Sequence, residues 1–103
     1  MKQADSSVDI NMSAPAYYER DVMVNLEHGL HLVPCSKIAE LAKRYSCNAI
    51  IIKDGRSIDA KTIFDLMTLG AVKGTRLTLH CQGEKADELI EKLVALFESD
   101  FQA

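Results

Sequence analysis

Glu27-His28-Gly29-Leu30-His31-Leu32-Val33-Pro34-Cys35-Ser36-Lys37 joins two elements of different period. Before it, Val22, Val24 and Leu26 alternate with Met23 and Asn25, the period of a half-buried strand. After it, Ile38, Leu41, Ala42 and Tyr45 recur three and four residues apart, the period of a helix with one buried face. Gly29 supplies the backbone freedom for the corner, and Pro34 is tolerated only in a first helical turn, where its missing N–H has no partner to lose. His31 is therefore expected at a helix N-terminus. That end of a helix carries unpaired N–H groups and the positive pole of the backbone dipole, so it attracts anions. A histidine there is either an exposed cap or a nucleophile whose phosphoryl group the amides of Leu32 and Val33 would cradle.

Working outward, Asn48 to Lys53 is apolar and β-branched, and Asp54-Gly55 after it is a strong hairpin signal, with 56 to 60 returning as the partner strand. Residues 61 to 69 read as a short helix that Thr62 can cap, with Ile63, Leu66 and Met67 on one side. Leu77, Leu79 and Cys81 alternate with Thr78 and His80 in a last strand. Ala86, Leu89, Ile90, Leu93, Val94 and Phe97 form the apolar stripe of a final helix reaching about residue 100. With a first strand over 21 to 26 and a first helix over 33 to 45, the order is βαββαβα. One apolar sheet face and three amphipathic helices predict an α+β fold, an antiparallel sheet covered on one side.

The chain of 103 residues, 48% hydrophobic and 26% charged, suits one domain. We expect residues 1 to 20 to be an N-terminal extension, disordered or loosely docked, and 21 to 103 to be the folded domain, because Ser6, Ser7, Asn11, Ser13 and Pro15 break any period. A net charge of −3 gives no basic footprint for nucleic acid. The opening residues lack a signal-peptide core and the longest apolar run is far too short to span a bilayer, so a cytoplasmic location without membrane insertion is expected. Three scattered cysteines, Cys35, Cys47 and Cys81, read as reduced thiols. His28, His31 and Cys35 offer three metal donors but lack the paired spacing of a zinc site, and no metal or other cofactor is expected.

Two spaced motifs resemble the HPr family of histidine-containing phosphocarriers of the bacterial phosphoenolpyruvate-dependent sugar phosphotransferase system. Gly29-Leu30-His31-Leu32-Val33-Pro34-Cys35 stands in place of the family's Gly-Leu-His-Ala-Arg-Pro-Ala. Lys61-Thr62-Ile63, followed by Leu69-Gly70, matches the second signature, at the family's separation and without a gap. The likeness spans about residues 21 to 100. It implies an HPr-like open-faced β-sandwich: a four-stranded antiparallel sheet with three helices on one face. It also implies a phosphoryl carrier rather than an enzyme. His31 would be phosphorylated, on Nδ1 in the family, by an enzyme I-like phosphohistidine, and would pass the group to a downstream phosphotransferase-system protein. A monomer is expected, working in sugar uptake or a regulatory relay. In many Gram-positive relatives an HPr kinase phosphorylates the serine at the place of Thr62, which makes Thr62 a candidate regulatory site, with an ordinary helix cap as the alternative.

The chain departs from the pattern at Val33, where the family has an arginine that pairs with phosphate. A charged hydrogen bond of that kind is worth on the order of 1.5–3 kcal/mol. Lys37 and His28 are the candidates to replace it. Glu40 and Asp65 stand where relatives often carry basic residues that dock enzyme I. These departures motivate an alternative function, an HPr-like regulatory module that docks on a partner without turning over phosphate.

Overall fold

The computed structural model describes residues 17–102. Seven elements follow in the expected βαββαβα order: β1 (Tyr17–Met23), α1 (Leu32–Lys43), β2 (Asn48–Lys53), β3 (Arg56–Asp59), α2 (Ile63–Met67), β4 (Arg76–Gln82) and α3 (Ala86–Glu98). The strands form one antiparallel sheet in the order β1-β4-β2-β3, so the last strand in sequence is central. This placement accounts for the strict alternation of β4. Leu77, Leu79 and Cys81 are buried on the helix side, and Thr78, His80 and Gln82 face the open side. The helices supply the other half of the core through Cys35, Ile38, Ala39 and Ala42 of α1, Leu66 of α2, and Leu89, Ile90, Leu93, Val94 and Phe97 of α3.

The Asp54-Gly55 signal holds for a physical reason. Both residues take positive φ, 51° and 79°, as a two-residue hairpin turn requires when its twist is to match the strands. Ile51 and Ile58 then face each other across β2 and β3, with Ile51 fully buried.

The first strand begins four residues earlier than expected. Tyr17 pairs with Gln82 and Arg20 with Leu79, so residues 17 to 20 belong to the sheet rather than to an extension. All four are exposed, and backbone pairing rather than an apolar face makes them a strand. The Tyr17 ring meets the His80 ring edge-on at 4.3 Å on the open face. The expectation for residues 1 to 16 lies outside the described residues. β1 also ends earlier than expected, at Met23, because the chain turns to meet another loop. The Val24 N–H donates to the Thr75 carbonyl, and the Gly74 N–H donates to that of Val24.

The short helix is one turn shorter than expected, and Met67 points outward rather than into the core, 41% exposed beside Phe64 at 81%. A helix of this length has room for one buried anchor, Leu66. Among the described residues no helix is long and apolar enough to cross a membrane.

Candidate functional site: the start of the first helix

The corner before α1 is stitched to the 71–75 loop. Leu26 accepts from the Gly29 N–H at 2.9 Å, closing a turn over Glu27 and His28, and the Leu30 N–H donates to the Ala71 carbonyl at 2.9 Å. Gly29 sits at φ +66°, and a Cβ there would come within 2.4 Å of the Ala71 carbonyl oxygen, so the close approach requires glycine. Leu30 is buried beneath the corner, and its carbonyl accepts from the buried Cys35 thiol at 3.5 Å. Burial pushes that thiol up to about 11. The loop is thus fixed from below.

On this base His31 occupies the N-cap of α1, with extended φ −89° and ψ −166° and its ring exposed. Its carbonyl accepts the first helical bond, from the Cys35 N–H at 3.2 Å, but its ring makes no bond to the helix amides. The amides of Leu32 and Val33 have no partner among the described residues, and Pro34 brings no N–H. No acidic residue lies in the first turn. Two free N–H groups and the dipole's positive end therefore stand beside an exposed imidazole, a combination that can hold a transferred anion. The His31, Leu32 and Val33 named from the sequence are brought together.

Thr62 occupies the corresponding N-cap of α2, also extended at φ −118° and ψ 113°, yet its hydroxyl does not cap the helix. That hydroxyl instead donates to Asp59 Oδ2 at 3.5 Å, while Asp59 Oδ1 takes the Lys61 N–H at 2.9 Å. Asp65 adds a carboxylate in the first turn. The capping role expected of Thr62 is corrected accordingly: the neighbouring aspartate, not the backbone, has captured the hydroxyl.

Of the two candidates to replace the missing arginine, Lys37 is committed elsewhere, donating to the Phe101 carbonyl at 2.6 Å. His28 lies beside the site, its ring centroid 6.4 Å from that of His31 and its plane turned by 75°. Among the described residues no group of three or more His, Cys, Asp or Glu side chains is placed to hold a metal ion, and Cys35 is buried, its thiol donating to Leu30. Sequence reasoning did not find which apolar residues stay exposed: Leu32 and Val33 beside His31 on α1, Phe64 and Met67 on α2, and Val72 in the stitched loop. Phe64 is the clearest of them, and its outward direction becomes readable only once Leu66 is known to be the buried anchor.

A family model described as the PTS HPr component phosphorylation site matches residues 18–99. The chain belongs to the HPr family. It is 40% identical over 81 residues to the phosphocarrier protein HPr of Vibrio cholerae, covering 79% of this chain and 95% of that one. The HPr structure from Thermoanaerobacter tengcongensis superposes with a TM-score of 0.80 at 30% identity, over 84% of this chain and 97% of that one. The Crh structure of Bacillus subtilis, a catabolite repression protein described as a swapped dimer, is 39% identical over 76% of this chain and 90% of that one, with a TM-score of 0.64. Because a relative this similar is a dimer, the comparisons lend no support to the monomer expected from the sequence.

Proposed function

We propose that this HPr-family protein is a phosphocarrier of the phosphotransferase system that takes a phosphoryl group on His31 from an enzyme I-like phosphohistidine and hands it to a downstream acceptor protein. The observation that carries the assignment to His31 is the exposed ring on an N-cap whose first two amides are free. The lone pair of an unprotonated ring nitrogen attacks the phosphorus, and the N–P bond to the donor's imidazole breaks with its electron pair returning to the donor. The Leu32 and Val33 amides, unbonded at the same helix start, are the groups that receive the new phosphate oxygens. Release to the next protein runs the same step outward, so the carrier ends each cycle unchanged, as a relay rather than an enzyme. Such a relay suits a cytoplasmic protein, and an exposed site suits partners that each bring the other half of the transfer centre.

The alternative, a docking module without turnover, draws on Val33 and on the similarity to Crh. The exposed His31 with its free amides favours the carrier. Incubation with enzyme I and phosphoenolpyruvate is expected to give an acid-labile, base-stable phosphate that His31→Ala abolishes. Absence of label with the enzyme I of the same organism contradicts the carrier and leaves the docking module.

A further inference from the structure

The family's arginine is Val33 in this chain, so a phosphoryl group on His31 needs its charged or polar side-chain donor from elsewhere. One cation in each of α1 and the stitched loop is already engaged. Lys37 donates to the Phe101 carbonyl at 2.6 Å, and Lys73 pairs with Glu27 at 3.3 Å. His28 combines nearness with freedom. Its ring is exposed, it makes no hydrogen bond or ion pair among the described residues, and its centroid lies 6.4 Å from the His31 ring. That gap is too wide for the two rings to bond directly. It leaves room for a group bound to one ring to be met by an N–H donor on the other. Gly29 and the Leu26–Gly29 turn fix the backbone that carries His28, so the donor is held beside the site rather than on a free tail.

We propose that His28 donates an N–H to a phosphoryl oxygen on His31, and so supplies the side-chain contact that Val33 cannot. The inference rests on the phosphocarrier reading. No bond to His28 forms or breaks during transfer, since its N–H only offsets the charge that arrives with the phosphoryl group. Its neighbour in sequence, Glu27, is paired with Lys73, and the ring set against it is that of His31.

The test uses the full chain with enzyme I and phosphoenolpyruvate, in wild type, His28→Ala and His28→Gln. His28→Ala is expected to take up label about fivefold to tenfold more slowly and to lose it faster. His28→Gln, which keeps an N–H but does not titrate, is expected to recover part of the loss. Equal uptake and lifetime in all three proteins, or a His28→Gln protein no better than His28→Ala, overturns the inference while the carrier reading stands. A wild type that takes no label at all overturns both.

Discussion

Two helices begin in the same way on one side of this molecule and are prepared for opposite ends. The residue before α1, His31, and the residue before α2, Thr62, both sit in extended backbone, and neither caps its helix with its side chain. At α1 the first turn has no carboxylate, two amides are free, and the side chain at the cap is exposed. At α2 the positive end is already answered. Asp65 lies in the first turn, Asp59 holds the Thr62 hydroxyl and the Lys61 amide, and the helix is only five residues long. A helix start is therefore not a phosphate site by geometry alone. It becomes one when nothing else in the fold has used it, and this favours His31 over Thr62 as the residue that carries phosphate.

The largest expected effect comes from the corner that makes α1 different. Gly29→Ala drives a Cβ against the Ala71 carbonyl and should cost roughly 3 kcal/mol of stability, whereas Gly70→Ala after α2, where a Cβ meets nothing, should cost about 1 kcal/mol for its positive φ alone. Thermal melts of the two variants check this, and equal losses would show that the corner is not fixed by the stitched loop. Next in size, Val33→Arg adds a planar cation beside the free amides and should speed phosphoryl uptake by about tenfold, on the order of 1.5 kcal/mol in the phosphorylated state, with the melting temperature unchanged. Transfer kinetics with enzyme I read it.

A smaller effect asks whether the two helix starts differ in their hunger for charge. Leu32→Glu should stabilise α1 by about 0.5 kcal/mol through the dipole. Thr62→Glu, set among Asp59 and Asp65, should give no gain or a loss of similar size. Urea unfolding of both variants settles the sign, and equal stabilisation would erase the distinction drawn between them.

The effect smallest at neutral pH concerns the thiol under α1. Burial raises Cys35 to about 11, above the roughly 8.5 of an unfolded cysteine. The raised value means that its contribution is fully present below the unfolded pKa and is lost as pH climbs toward 11. Stability should thus be level through neutral pH and fall between about pH 9 and 11, and Cys35→Ala should flatten part of that limb, with Cys81, raised to about 11 by burial, and Cys47, also raised by burial, contributing to the remainder.

Much of this was legible in the chain itself, wherever a residue type answers a local demand. Asp54-Gly55 announced the hairpin through positive φ, Gly29 and Pro34 announced the corner, and the alternation from Leu77 to Cys81 announced a strand with one buried face. What escaped notice depends on distant partners. Tyr17 to Arg20 show no apolar alternation because all four are exposed, and only pairing with β4 makes them a strand. Lys37 looked available until Phe101, 64 residues further on, was found to accept from it. Thr62 has the composition of a cap, but Asp59 competes for its hydroxyl, a contest that local propensity does not decide.

The central claim is that the open helix start, and not its partly filled counterpart, receives the phosphoryl group. Amide spectra recorded before and after treatment with enzyme I and phosphoenolpyruvate test it directly. The account predicts that the Leu32 and Val33 amide resonances shift most, with those of Ile63 and Phe64 nearly still. Phosphate on the protein with Leu32 and Val33 unmoved would contradict it.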